Sequence, residues 1–263
     1  MRGGASGMLE LKGVSKKYGF MKAVDNISFT VKPGESIGYL GPNGAGKSTT
    51  IKMLAGLLEP TGGEIIYQGR NVWKNLVWFK ARLGYVPEEP AIYSHLSAFD
   101  YLLMVGRLRG IKDSVLKPKI KGFLEVFSLG GDMYSEIASF SKGMVQKVLI
   151  SAGLLHDPEI LLLDEPLSGL DVSTALVVRE LIRHLAAEGR IVIYSSHILE
   201  VVEKIASRVI ILHKGRIQAD DSVDNLRHLM KVPSLEEIFS QLVLQEEPEK
   251  AALELLSLMK KNA

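Results

Sequence analysis

The sequence predicts an α/β fold built on a parallel sheet, and three observations carry that prediction. Two short apolar runs, Ile160-Leu-Leu-Leu-Asp164 and Ile191-Val-Ile-Tyr-Ser195, have the composition of strands buried on both faces. Between them Val178, Leu181, Ile182 and Leu185 recur at helical spacing, and Gly189 ends that helix. Strand, helix, strand in this order is the repeating unit of a parallel sheet. Third, Gly41-Pro-Asn-Gly-Ala-Gly-Lys-Ser48 fits the phosphate-binding pattern G-x-x-x-x-G-K-[ST] at every fixed position. A strand-like Ser36-Ile-Gly-Tyr-Leu40 precedes it and a helix-like stretch from Thr49 to Ala55 follows.

The remaining elements follow in order. Residues 1–7 are small and Gly-rich and are set aside as a leader, with Met8 as the candidate start. Residues 9–40 read as strands and turns: Val24-Asp-Asn-Ile-Ser-Phe-Thr-Val31 nearly alternates, and Pro33-Gly34 turns the chain. Gly62-Gly-Glu-Ile-Ile-Tyr-Gln-Gly69 resembles a strand bounded by turns. Residues 98–128 and 143–155 read mainly as helices, so a helix-rich middle of about 90–155 is expected to interrupt the sheet as a subdomain. Val209 to Gln218 reads as a hairpin turning at Lys214-Gly215, and 234–263 as helix with a break at Glu247-Pro248. The expected organisation is one domain over 8–230 and a C-terminal helical extension over 231–263.

Composition narrows the chemistry. The 263 residues contain no cysteine, which excludes disulfides, zinc–thiolate sites and thiol catalysis and suits a reducing cytoplasm. With 32 basic and 30 acidic residues the formal charge is +2, no footprint of a nucleic-acid partner. Basic clusters such as Lys16-Lys17 and Lys117-Pro-Lys-Ile-Lys121 read as solvated faces. No apolar run approaches the roughly 18–20 residues that span a bilayer.

A phosphate loop aims backbone N–H groups and the positive end of a helix dipole at bound phosphate. Lys47 would reach the β- and γ-phosphates, and the Ser48 hydroxyl would bind magnesium. Gly44 and Gly46 permit close backbone approach. A magnesium site of this kind wants a carboxylate on a neighbouring strand. Asp164 closes one apolar run and suits metal binding; Glu165 follows at once and suits polarising an attacking water as general base. The ligands expected from these residues are a nucleoside triphosphate and Mg2+.

Taken together, Gly41–Thr49, Leu161-Leu-Leu-Asp-Glu-Pro166, Ser168-Gly-Leu-Asp171 and Ser195-Ser-His197 stand in the order and near the separations of an ABC ATPase, and about residues 8–220 resemble that family. Phe140-Ser-Lys-Gly-Met-Val-Gln146 resembles its signature segment at the Ser and the second Gly. The resemblance implies a P-loop NTPase core with a parallel sheet, an N-terminal antiparallel β-subdomain and a helical subdomain. It implies that the nucleotide is ATP and that Gly41, Pro42, Asn43, Gly44, Ala45, Gly46, Lys47, Ser48 and Thr49 hold it. Ser141 and Gly143 would meet the γ-phosphate bound by an opposing subunit, Asp171 would couple the two sites, and His197 would be the switch histidine. Tyr18 would stack on adenine. His95, His156, His184, His213 and His228 receive no role. Two departures stand out: Glu88, which follows Leu83-Gly-Tyr-Val-Pro87, replaces the family's usual metal-binding Gln, and Lys142 and Met144 replace Gly and Gln in the signature. These variants look most like the ATPases of bacterial drug, antibiotic or polysaccharide exporters.

The resemblance implies an ATP-hydrolysing transporter subunit, on the cytoplasmic face of the membrane. It would dimerise head to tail, as homodimer or heterodimer, and work with separate transmembrane permease subunits contacted by the helical middle and the segment after Glu88. A soluble ABC ATPase for cofactor or cluster assembly remains the alternative. A DNA-repair type would need a long coiled-coil insertion, but only about 93 residues lie between Lys47 and Ser141, without sustained heptads.

Overall fold

The structure is a computed structural model, and it describes residues 7–89, 91–196, 199–243 and 258–259. In chain order the strands and helices are β1 (Leu9–Tyr18), β2 (Met21–Val31), β3 (Ser36–Leu40), α1 (Lys47–Leu54), β4 (Gly62–Tyr67), β5 (Arg70–Asn71), α2 (Leu76–Lys80), β6 (Leu83–Val86), α3 (Ala98–Leu108) and α4 (Asp113–Val126). They continue with α5 (Lys142–Leu154), β7 (Ile160–Asp164), α6 (Val172–Ala187), β8 (Ile191–Ser195), α7 (Leu199–Ile205), β9 (Arg208–His213), β10 (Arg216–Asp221), α8 (Val223–Met230) and α9 (Leu235–Val243).

The expected parallel core is a sheet of order β10-β9-β3-β8-β7-β6, parallel throughout except for the antiparallel edge pair β9–β10. The N-terminal strands form the second, antiparallel sheet, of order β2-β1-β4-β5. Side chains alternate across a strand, so the continuous apolar runs feed two separate cores. Ile160 and Leu162, Ile191 and Ile193, and Ile210 and Leu212 point toward α1 and the antiparallel sheet. Leu161 and Leu163, Val192 and Tyr194, and Val209 and Ile211 point toward the helices on the other face. This double burial is why these strands carry no polar alternation.

The helical stretch expected over 98–128 is two helices. Gly110, at φ 74°, stops α3 in the left-handed conformation, and α4 starts three residues later. Pro118 lies within α4. The hairpin turns at Lys214-Gly215 as expected, both at positive φ. The five-residue α2 and the two-residue β5 are too short to carry periodic signal; α8 was not expected, although Val223, Leu226 and Met230 recur at helical spacing behind the Ser222 cap. Of the C-terminal helical stretch, α9 is observed; the break at Glu247-Pro248 lies outside the described residues, as does most of the leader. Among the described residues no helix is long and apolar enough to cross a membrane.

Candidate functional site

Strand β8 lies between β3 and β7, so the loop leaving β3 and the residues ending β7 and β8 share the carboxyl edge of the sheet. Open α/β sheets bind ligands along this edge. The loop Gly41–Gly46 is held from beneath. Gly215 of the β9–β10 turn donates its N–H to Ala45 O at 3.0 Å, and Ala45 donates its own to Pro42 O at 3.1 Å. At Gly46, φ is +105° and an added Cβ would lie 2.4 Å from Ala23 O, so the residue type is forced by backbone and space together. Gly44, at φ +76°, has open space around it and is demanded by conformation alone.

Lys47 opens α1 and is 8% exposed; its ammonium donates to Gly41 O at 2.6 Å and Pro42 O at 3.2 Å. Burial lowers its pKa, and the negative charges of Glu165, Asp164 and Glu88 oppose that shift. Those three carboxylates therefore surround the lysine electrostatically. Asp164 is 3% exposed at the end of β7, directly across the ladder from Ser195. The Ser195 hydroxyl donates to Asp164 Oδ1 at 2.5 Å and accepts the Glu165 N–H at 3.1 Å. Glu165 has φ +49°, a conformation uncommon for a residue with a side chain, in which strain is often concentrated at functional sites.

These groups enclose a cleft of about 270 Å³. It brings together Tyr18, Pro42, Asn43, Gly44, Gly46, Lys47, Ser48, Thr49, Glu88, Asp164 and Glu165. Gly41 and Ala45 take part through their backbone. Tyr18 stands at the rim, 47% exposed, with Lys16 Nζ 5.6 Å from its ring centroid. The Ser48 hydroxyl and the carboxylates of Asp164 and Glu88 are hard oxygen donors of the kind magnesium takes, so the donor set fits the ion. His197 lies outside the described residues.

Ser141, Gly143 and Asp171 do not line this cleft. Ser141 caps α5, its hydroxyl accepting the Met144 N–H at 3.3 Å while its own hydrogen remains a donor. Gly143 abuts the loop after β7: an added Cβ would lie 2.3 Å from Gly169 O. Asp171 caps α6, accepting from Ser173 Oγ, Thr174 N and Thr174 Oγ1 at 2.7–2.8 Å. Those hydrogen bonds, with Lys147 3.1 Å away, hold its carboxyl far below the usual range.

Sequence reasoning gave Ser195 no role, although it touches both acidic residues. The cross-strand register that pairs it with Asp164 exists only once β7 and β8 are neighbours. It also missed a second hollow, a groove of about 730 Å³ between α2, β6, α3 and α5. Leu57, Val77 and Leu108 line it while 59%, 86% and 81% exposed, beside Lys80, Arg109 and His156.

The doubly covered parallel sheet, with a glycine loop and carboxylates on its carboxyl edge, defines a P-loop nucleotide-binding domain. The ABC transporter family profile matches residues 24–168. The chain is 37% identical over 225 residues to the ABC transporter ATP-binding protein NatA of Bacillus subtilis (strain 168), spanning 85% of this chain and 92% of that protein. It is 40% identical over 223 residues to the bacitracin transport ATP-binding protein BcrA of Bacillus licheniformis (84% and 72%). Identity is 34% over 239 residues to the lantibiotic transport ATP-binding protein SrtF of Streptococcus pyogenes (91% and 99%). A solved ATP-binding subunit of an ABC transporter superposes with a TM-score of 0.84 at 32% identity, covering 89% of this chain and 99% of that one. A dimeric ATP-binding cassette in a post-hydrolysis state with ADP and Pi shares the fold, with a TM-score of 0.75 at 23% identity, covering 81% and 98%. The chain belongs to the ABC transporter ATP-binding family.

Proposed function

We propose that this chain is the ATP-hydrolysing subunit of an ABC exporter, working as a head-to-tail dimer on transmembrane permease subunits at the cytoplasmic face of the membrane. The observation that carries the hydrolytic reading is the convergence of Lys47, Asp164 and Glu165 on one cleft floored by the phosphate loop. The loop N–H groups and Lys47 hold the triphosphate, the lysine exchanging its two carbonyl partners for phosphate oxygens. Ser48, Asp164 and Glu88 hold magnesium, which neutralises phosphate charge when bound. Glu165 accepts the proton of the water that attacks the γ-phosphorus, and the bond to the β–γ bridging oxygen breaks to give ADP and phosphate. Ser195 stands between the two acidic residues, and its hydrogen bonds fix both. Tyr18 offers an aromatic face for the adenine, and His197 orients water and base.

Ser141, Gly143 and Asp171 act across the dimer, which agrees with their position away from the chain's own cleft. The groove supports the permease partner. It is the larger hollow, it exposes apolar side chains, and the strand leading to Glu88 lines it: Tyr85 and Pro87 face the groove and Glu88 the cleft. A permease helix seated there would press on the segment that ends in a proposed metal ligand. The proposed domains are an ATPase unit over 8–230, with a helical subdomain of about 90–155, and a C-terminal extension over 231–263. The transport names of the relatives favour this reading over soluble assembly.

Glu165→Gln tests it. Loss of the base should cut hydrolysis by about 10²-fold or more while leaving ATP affinity near wild type. Substantial turnover by a folded Gln variant would remove Glu165 from the role of base.

A further inference from the structure

The signature helix carries a lysine where the family pattern has glycine, and the position is electrostatically wrong for it. Lys142 is the first residue of α5, where the helix dipole is positive and a cation is disfavoured. A contact that compensates is present. Lys142 Nζ donates to Ser168 Oγ at 2.9 Å, and its stem packs on Gly169, where an added Cβ would lie 3.2 Å from Lys142 Cγ.

This contact extends a seam. Residues 142, 143, 146 and 147 share one face of α5, and each meets the loop after β7. Gly143 abuts Gly169 O, the Gln146 side chain donates to Pro166 O at 3.2 Å, and Lys147 pairs with Asp171 at 3.1 Å. The loop in turn is tied to the general base, because Ser168 N donates to Glu165 O at 3.1 Å. A short covalent and hydrogen-bonded path therefore runs from Glu165 through Ser168 to the start of α5, beside Ser141 and Gly143.

We propose that Lys142 is a positioning residue that clasps the start of α5 to Ser168, so that the loop leaving Glu165 sets where Ser141 and Gly143 stand. On the dimer reading proposed above, on which this rests, one subunit's own hydrolytic site then adjusts the groups it presents to its partner's nucleotide. Lys142 does this without touching either nucleotide. The clasp lies at the exposed end of the seam, where it can open without unpacking the buried Gln146 contact.

The test uses the full chain with Lys142→Met, Ser168→Ala, their double variant and Lys142→Arg. In the nucleotide-free protein, hydrogen exchange should rise several-fold in residues 141–146 and 166–171 for Lys142→Met and Ser168→Ala alike, and not in α1. The double variant should match either single one, and Lys142→Arg should restore protection. In ATP titrations of hydrolysis, the Hill coefficient should fall toward 1 in both single variants, with fluorescent-ATP binding to the monomer unchanged. Unchanged exchange in both single variants would overturn the clasp. So would a cooperativity loss in Lys142→Met that Ser168→Ala does not share, since the lysine would then act on nucleotide directly. If light scattering shows that ATP drives no dimer even in the Glu165→Gln background, the dimer reading fails, and the exchange data still decide the clasp.

Discussion

Two hollows of this molecule, the cleft and the groove, differ in nearly every property. The cleft, at about 270 Å³, is walled by backbone, one buried lysine and three carboxylates. The groove, at about 730 Å³, is mostly apolar, carries Lys80, Arg109 and His156, and among the described residues is lined by no acidic one. Volume is thus a poor guide to chemistry here. Phosphate transfer needs a few charges fixed to fractions of an ångström, and these come from a strained turn, a forced glycine and a cross-strand serine. Docking a partner needs apolar area, and on the reading proposed above the exposed Leu57, Val77 and Leu108 of the groove supply it.

The sharpest way to break the cleft without touching the groove is Gly46→Ala. The new methyl meets Ala23 O and the backbone must hold φ +105°, so stability should fall by about 3 kcal/mol, with loss of ATP binding. Gly44→Ala suffers only the conformational penalty, about 1 kcal/mol. Equal thermal shifts for the two would refute the role given to the Ala23 contact.

Ser195→Ala comes next. It leaves a buried Asp164 oxygen and the Glu165 N–H without their shared partner, at a cost of about 1–3 kcal/mol. The expected kinetic signature is kcat reduced roughly tenfold with KM for ATP changed less, as follows when the acids are displaced and the phosphate loop is not. A variant with wild-type kcat would show that Ser195 matters for packing alone.

The groove gives the opposite pattern. Leu108→Asp and Val77→Asp alter exposed side chains, so stability should stay within about 0.5 kcal/mol and hydrolysis by the isolated chain should hold. Recovery of the proposed permease subunits in pull-downs from detergent extracts should fall. Undiminished recovery would place the partner elsewhere.

The groove also carries a pH dependence of its own. Burial, with Arg109 alongside, pulls the His156 ring down to about 4 from its ordinary 6.5, and the ring bonds to Leu83 O at 2.9 Å. The unfolded chain therefore takes up the proton first, and stability is lost as pH falls from 6.5 toward 4. After discounting for the partly exposed ring, the loss is on the order of 1–2 kcal/mol. Denaturant melts of His156→Gln should show a shallower decline across that window than wild type, and parallel curves would refute the assignment.

The two regions were also unequally legible in the sequence. The cleft announces itself because its chemistry is written in contiguous residues: the glycine spacing of 41–48, the acid pair closing an apolar run, the strand before each. The groove is written nowhere in one segment. Its walls come from α2, β6, α3, α5 and the turn after α1, and the exposed apolar residues among them, Leu57, Val77 and Leu108, look like ordinary surface until the chain brings them together. Ser195 is an intermediate case, since its motif was visible and its partner was not. The same holds for Lys142, whose departure from the family pattern was plain while its contact with Ser168 required α5 to lie along the loop after β7.

By itself the sequence determined the parallel sheet, the glycine loop and the acid pair that closes β7, since doubly buried strands and a glycine loop leave few alternatives within a dozen residues. Only the tertiary structure decided which strand stands between the loop and the acids, that Ser195 ties Asp164 to Glu165, and that α5 is fastened to the loop after β7. Those facts depend on strand order and helix rotation. Both are set by how two separate cores fill, a property of the whole chain rather than of any local stretch.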